Sequence, residues 1–159
     1  MKVIFLDVDG VLNSLSTSER SPEGWTGVDD VNLCQLARIV RKTGAVIVLS
    51  STWKDMWHPD APEKNAPDFT YLLQKLRKYD LALLDKTPGE SSAYRGREII
   101  DWIATNKKEI ESFVVLDDIW FFDFNSKMLS GRIVRTSFAG GGLTERRANE
   151  AIAVLNGKE

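Results

Sequence analysis

Lys2-Val3-Ile4-Phe5-Leu6-Asp7-Val8-Asp9-Gly10-Val11-Leu12-Asn13 is the stretch from which the rest of the chain is read. Lys2 to Leu6 is a short run of β-branched and aromatic residues with no polar alternation, the pattern of a strand covered on both faces of a parallel sheet. It ends in two aspartates one residue apart. Along an extended chain that spacing sends both side chains to the same side, so Asp7 and Asp9 share one small space. Like charges held that close are costly unless a cation is shared or one group carries a proton. The pair therefore points to a hard metal such as Mg²⁺ and to acid–base work. Gly10 permits the sharp bend needed directly after the strand. Taken alone, a surface turn with incidental acids explains Asp-x-Asp equally well.

Working outward, Asp29 to Lys42 places Val31, Leu33, Leu36, Ala37 and Val40 at helical spacing, and Gly44 supplies a stop. Cys34 lies beside that stripe and reads as a core residue. Ala45 to Leu49 is a second continuous apolar run, completing a strand–helix–strand unit. Trp53 to Pro67, with Trp57, His58 and several prolines, predicts a short helical turn and then an irregular loop, in which His58 has a loop or packing role. A helix over Phe69–Lys78 and a third strand over Leu81–Leu84 follow, then a helix over Arg95–Asn106 with Ile99, Ile100, Trp102 and Ile103 facing inward. Phe113–Leu116 is a fourth strand running into Asp117-Asp118, and Ile133–Arg135 a fifth. Thr144 caps a last helix through Leu155. The expected fold is α/β, a Rossmann-like three-layer sandwich with a mostly parallel five-stranded sheet and minimal or no cap. Ligands in such sheets gather beyond the carboxyl ends of the strands.

A chain of 159 residues that is 43% hydrophobic buries a normal core without disulfides, so one domain over residues 1–159 is expected. The 21 basic and 23 acidic residues nearly cancel, which favours neither bulk nucleic-acid attraction nor membrane adhesion. Cys34 is the single cysteine, and the first apolar run is too brief for a signal peptide, so a cytoplasmic protein is expected. No apolar stretch approaches the roughly 18–20 residues of a membrane span.

The second strand closes in Ser50-Ser51-Thr52 and the fourth in Asp117-Asp118, so hydroxyls and further carboxylates emerge from the same edge as Asp7. Hydroxyls there can bond a transferring phosphoryl oxygen, and acids can complete an oxygen shell for Mg²⁺. Singly, Ser50 reads as a helix N-cap and Asp117-Asp118 as a solvated strand end. In joint order they resemble the haloacid dehalogenase-like (HAD) superfamily of phosphohydrolases. Phe5 to Asn13 resembles its first motif, Val46 to Ser50 its second and Val114 to Asp118 its fourth. The resemblance implies a Mg²⁺-dependent phosphatase acting on phosphate monoesters through an aspartyl-phosphate, with Asp7 as nucleophile and Asp9 as general acid/base. It implies phosphate binding by Ser50, Ser51 and Gly10. Its metal set is Asp7, Asp9 through the backbone carbonyl, Asp117 and Asp118, with either of the last two as the direct ligand. The family's third motif begins a helix with Lys, whereas here Arg95-Gly96-Arg97-Glu98-Ile99 stands in that place. Arg95 and Lys86 compete for the role.

Cap insertions are short: Asn13–Gly27 suffices only for a flap and Trp53–Asp68 for a lid fragment. An open site suits a phosphate displayed on something large. Within the superfamily the chain resembles small capless HAD domains associated with RNA repair, which share the Ser-Ser-Thr-Trp-Lys second motif and the Arg-Gly-x-Glu-Ile helix. The implied partner is a polynucleotide end or a nucleotide, without independent support from net charge. Two non-catalytic readings stand beside it. A receiver-like phosphate-sensing module would carry its aspartate after the third strand, not the first. An inactive HAD-like interaction domain would have no need of Asp9. Trp53 and Trp120 lie nearest the proposed site in sequence, and the Gly140-Gly141-Gly142 run offers amides for an anion or merely a flexible turn.

Overall fold

A computed structural model describes residues 1–157; Lys158 and Glu159, the end of the expected domain, lie outside the described residues. Strands β1 (Lys2–Leu6), β2 (Val46–Leu49), β3 (Leu83–Lys86), β4 (Ser112–Asp117) and β5 (Ile133–Arg135) form one sheet in the order β3-β2-β1-β4-β5. The expected mostly parallel sheet is parallel at every pairing. Helices α1 (Asp30–Thr43), α2 (Pro67–Arg77), α3 (Arg95–Asn106) and α4 (Glu145–Leu155) cover it, so the fold is α/β and HAD-like with little cap. None of the described helices is long and apolar enough to cross a membrane.

The side-chain alternation of β1 builds the two inner layers. Ile4 and Leu6 pack with Leu33, Leu36 and Ile39 of α1 and with Ala148 and Ala151 of α4. Val3 and Phe5 face the opposite layer, against Ile99, Trp102 and Ile103 of α3. There Phe5 meets Trp102 edge to face with ring centroids 5.5 Å apart. Each such side chain contributes roughly 1.5–3 kcal/mol on burial. Local signals agree with this packing. The Asp29 side chain accepts from Val31 N at the start of α1, Gly44 ends that helix in the left-handed region at φ 71°, and Thr144 caps α4.

Three expectations are corrected. The third strand is Leu83–Lys86 rather than Leu81–Leu84, because edge pairing with β2 sets its span, with a bulge between Ile47 and Val48. Leu81 is buried in the core instead, and Leu84 is exposed. Val31 is 68% exposed, since the stripe of α1 runs through Leu33, Leu36 and Ile39. Cys34 is exposed and not in the core, because one residue past Leu33 turns about 100° away from that stripe.

The chain leaves β1 toward β2 and β3, then returns across the sheet to β4 and β5. The topological switch therefore falls between β1 and β4, where open α/β sheets form their ligand crevice.

Candidate active site

Register delivers the first two carboxylates to that crevice. Leu6 pairs with Leu116 and Asp7 N donates to Leu116 O at 3.0 Å, so Asp7 and Asp117 leave adjacent strands side by side. Both are buried, at 6% and 1% exposure, and Asp118 is half-buried beside them. One carboxylate oxygen from each of Asp7, Asp117 and Asp118 lies within 4.8 Å of the others. Burial, then repulsion from Asp117, holds the Asp7 carboxyl well above the ordinary range. Burial likewise raises Asp117, and burial followed by Asp117 raises Asp118. Three acids that are costly to ionise together, with only oxygen donors, suit a hard divalent cation. Gly10, at φ +80°, brings its backbone against Asp118: a Cβ there would lie 2.1 Å from Asp118 Oδ2. Its amide donates to Asn13 Oδ1 and its carbonyl accepts from Thr136 Oγ1.

Arg95 opens α3 and sends its guanidinium into this cluster, 2.8 Å from Asp117 Oδ2 and 3.4 Å from Asp7 Oδ1. Phe121 lies under it, 4.4 Å from guanidinium carbon to ring centre. Burial works to lower its pKa, but the Asp7 and Asp117 carboxylates outweigh burial and raise it. Lys86 is placed elsewhere: its ammonium donates to the carbonyls of Lys54 and Trp57 at 2.9 and 2.6 Å, and burial pulls its pKa down. The rest of Arg-Gly-x-Glu-Ile is equally specific. Gly96 allows the Asp123 carboxylate to approach, which caps α3 by accepting from Gly96 N and Arg97 N at 3.0 and 2.9 Å.

The segment after β2 divides its labour residue by residue. Ser50 N still donates to Leu6 O, continuing the ladder, and the Ser50 hydroxyl is buried without a protein partner. The N-cap expected of Ser50 belongs to Ser51, whose hydroxyl accepts from Trp53 N at the head of the 3₁₀ turn Thr52–Met56. The Ser51 side chain lowers the pKa of Asp7 beside it a little, against the effect of burial. Trp53 Nε1 donates to Asp9 Oδ2 at 3.0 Å, and Asn13 Nδ2 to Asp9 Oδ1 at 3.0 Å, so two donors orient the exposed Asp9 carboxylate. Lys54, fully buried, donates to Glu98 Oε1 at 2.7 Å and to Thr87 Oγ1 at 3.1 Å.

Sequence reasoning assigned nothing to Asn13, Lys54, Glu98 or Asp123, although the first three stood inside quoted motifs. Of the other residues singled out, His58 is an exposed loop residue whose amide donates to Asn65. Trp120 Nε1 donates to Asn125. The amides of Gly140 and Gly142 are taken by Ser137 O, the flexible-turn alternative for that run.

An aspartate pair after the central strand, facing acids from the neighbouring strand across a switch point, defines the HAD class of phosphohydrolase-type domains. Within that class the chain belongs to the family described as the HAD domain in Swiss Army Knife RNA repair proteins, whose model matches residues 3–148. No curated protein and no solved structure matches it.

Proposed function

We propose that the protein is a cytoplasmic, Mg²⁺-dependent phosphatase that hydrolyses phosphate monoesters on nucleic-acid ends or nucleotides through an aspartyl-phosphate on Asp7. The observation that carries this reading is the burial of Asp7 among Asp117, Asp118 and Arg95 at one sheet edge, with Ser50, whose hydroxyl is unpartnered, directly after the neighbouring strand and bonded through its amide to Leu6 O. In the proposed reaction an Asp7 oxygen bonds to phosphorus, the ester P–O bond breaks, and the departing oxygen takes the proton of the Asp9 carboxyl. Asp9, now a carboxylate, takes a proton from water as the water oxygen attacks the aspartyl-phosphate. Inorganic phosphate leaves and Asp7 is restored. Trp53 and Asn13 keep Asp9 in place, while Arg95 and the Ser50 and Ser51 hydroxyls hold phosphoryl oxygens. Mg²⁺ held by Asp7, Asp117, Asp118 and the Asp9 carbonyl would offset phosphoryl charge. The Lys86 ammonium, already bound to two carbonyls, supports Arg95 as the third-motif cation.

The family's association with RNA repair proteins and the small cap support a phosphate on a polynucleotide end. Phosphate release from p-nitrophenyl phosphate, nucleotides, sugar phosphates and 3′- or 5′-phosphorylated oligonucleotides tests the reading, with and without Mg²⁺. Turnover is expected to need metal, to vanish in Asp7→Asn and to favour oligonucleotide ends over sugar phosphates. Undiminished turnover in Asp7→Asn would mean another group is the nucleophile.

A further inference from the structure

A cavity of about 530 Å³ opens directly beside Asp9, the residue from which the leaving oxygen takes its proton. Its apolar walls are Trp25, Trp53, Met56 and Phe138. Trp25 is 71% exposed, an unusual position for an indole with no structural task, while Trp53 is buried and fixed by its bond to Asp9. The polar lining includes Glu23 and Asp68, acidic like Asp9, and no basic side chain among the described residues.

The wall carrying Trp25 is built rather than loose. Arg20 and Thr26 form an antiparallel bridge, with Ser21 N donating to Trp25 O and Trp25 N donating to Ser21 Oγ. Asp68, 3% exposed at the head of α2, accepts from Ser21 Oγ and from Glu23 N, each at 3.0 Å. The Tyr71 hydroxyl accepts from Val28 N just beyond the flap. The flap is thereby tied to α2 on both sides of Trp25, which is carried over the cavity from a braced turn. No described group hydrogen-bonds or ion-pairs with the exposed Glu23 carboxylate.

We propose that this cavity is the seat of the nucleobase of the leaving nucleoside. The inference rests on the phosphatase reading above and names what lies on the other side of the scissile bond. Aromatic walls supply stacking, which is indifferent to base identity. The Glu23 carboxylate, which no described group engages, supplies acceptors only, matching the ring N–H and amino donors of a base. The lining acids repel a second phosphate, so the neutral base of the terminal nucleotide enters while the remaining phosphodiester chain runs outside. A sugar phosphate fills none of the aromatic space.

Two measurements test this independently of one another. Adenosine, which carries no phosphate, is titrated into the Asp7→Asn protein with indole fluorescence as readout. Saturable quenching is expected, lost in Asp7→Asn/Trp25→Ala, whereas no saturation in the Asp7→Asn protein would overturn the proposal whether or not the enzyme is a phosphatase. In the active protein, kcat/KM for adenosine 3′- and 5′-monophosphate is compared with that for ribose 5-phosphate. Removing one stacking partner is expected to reduce the ratio by roughly 5- to 150-fold in Trp25→Ala, through KM, with thermal melting confirming the fold. An unchanged ratio overturns the base seat, and so does an equal loss on p-nitrophenyl phosphate, which would assign the cavity to any aryl leaving group. Turnover surviving in Asp7→Asn would sink the nucleophile assignment alone and leave the adenosine titration to decide the cavity.

Discussion

The Lys54 ammonium lies 2.7 Å from the Glu98 carboxylate in a contact almost sealed from water. Lys54 sits in the turn after β2, and Glu98 one helical turn beyond Arg95 on α3. The pair therefore fastens the segment that follows β2 to the helix that aims the guanidinium at Asp7. Glu98 is further held by Ser92, whose amide donates to Oε2 at 3.0 Å.

Breaking a buried ion pair from one side strands a charge, at a cost of about 3–5 kcal/mol. Lys54→Met is expected to lose that much stability in urea unfolding, and Lys54→Met/Glu98→Gln to recover part of it, because the stranded carboxylate is gone. A single variant within about 1 kcal/mol of the parent would show that water reaches the pair.

Gly10→Ala faces two penalties. The left-handed backbone costs roughly 1–3 kcal/mol for a residue with a side chain, and the new methyl collides with the Asp118 carboxylate. Gly44→Ala, at φ 71° with open space around its Cβ and remote from the site, carries the first penalty alone. Both variants are expected to melt lower, but only Gly10→Ala is expected to need more Mg²⁺ for half-maximal turnover. Equal magnesium titrations would remove Asp118 from the metal set.

The raised pKa of Asp7 has a sign that melting can read. Its folded value lies above its unfolded one, so the folded state binds the proton more readily, and metal-free stability falls as pH climbs from the ordinary carboxylate range through the raised value. Asp7→Asn removes that cost. With a chelator present at mildly alkaline pH the variant is expected to melt above the parent, by roughly 2–4 °C for each kcal/mol regained. The two should converge on acidification. Added Mg²⁺ should reverse the order, since binding stabilises the parent more. A variant that melts lower under chelation would mean the Asp7 charge is already compensated by Arg95.

Much of the sheet could be read because its strands are continuous apolar runs closed by polar residues. Lys2–Leu6 and Ile133–Arg135 form strands over the spans the sequence implied, and α3 likewise. The third strand slipped by two residues because an edge strand takes its limits from its neighbour's ladder, which hydropathy does not encode. In the site, the acids announced themselves by falling at strand ends. Lys54 with Glu98, and Asp123 with Gly96, did not: their partners lie 44 and 27 positions away, and only the packing of α3 onto the sheet brings them together. Cys34 and Val31 show the converse, apolar residues whose helical phase, not their type, decides exposure.

In the proposed reading Arg95 stands where the third motif ordinarily carries a lysine, and its contacts explain what the longer, planar head accomplishes. It reaches Asp117 and Asp7 from one nitrogen while its face rests on Phe121, so the cation is held by geometry as well as charge. An ammonium can also meet two carboxylates, as that of Lys75 does with Glu19 and Asp30, but it has no plane to stack on the ring. Arg95→Ala removes a donor aimed at developing charge and is expected to lower kcat roughly 10²- to 10³-fold. Arg95→Lys should restore part of the rate, with the remaining deficit measuring the reach of the guanidinium and the stack. Phe121→Leu separates these two, since it spares both ion pairs and takes away only the ring. If Phe121→Leu matches the parent while Arg95→Lys stays slow, the reach of the guanidinium rather than its stack accounts for arginine here; if Arg95→Lys matches the parent, charge was all the site required.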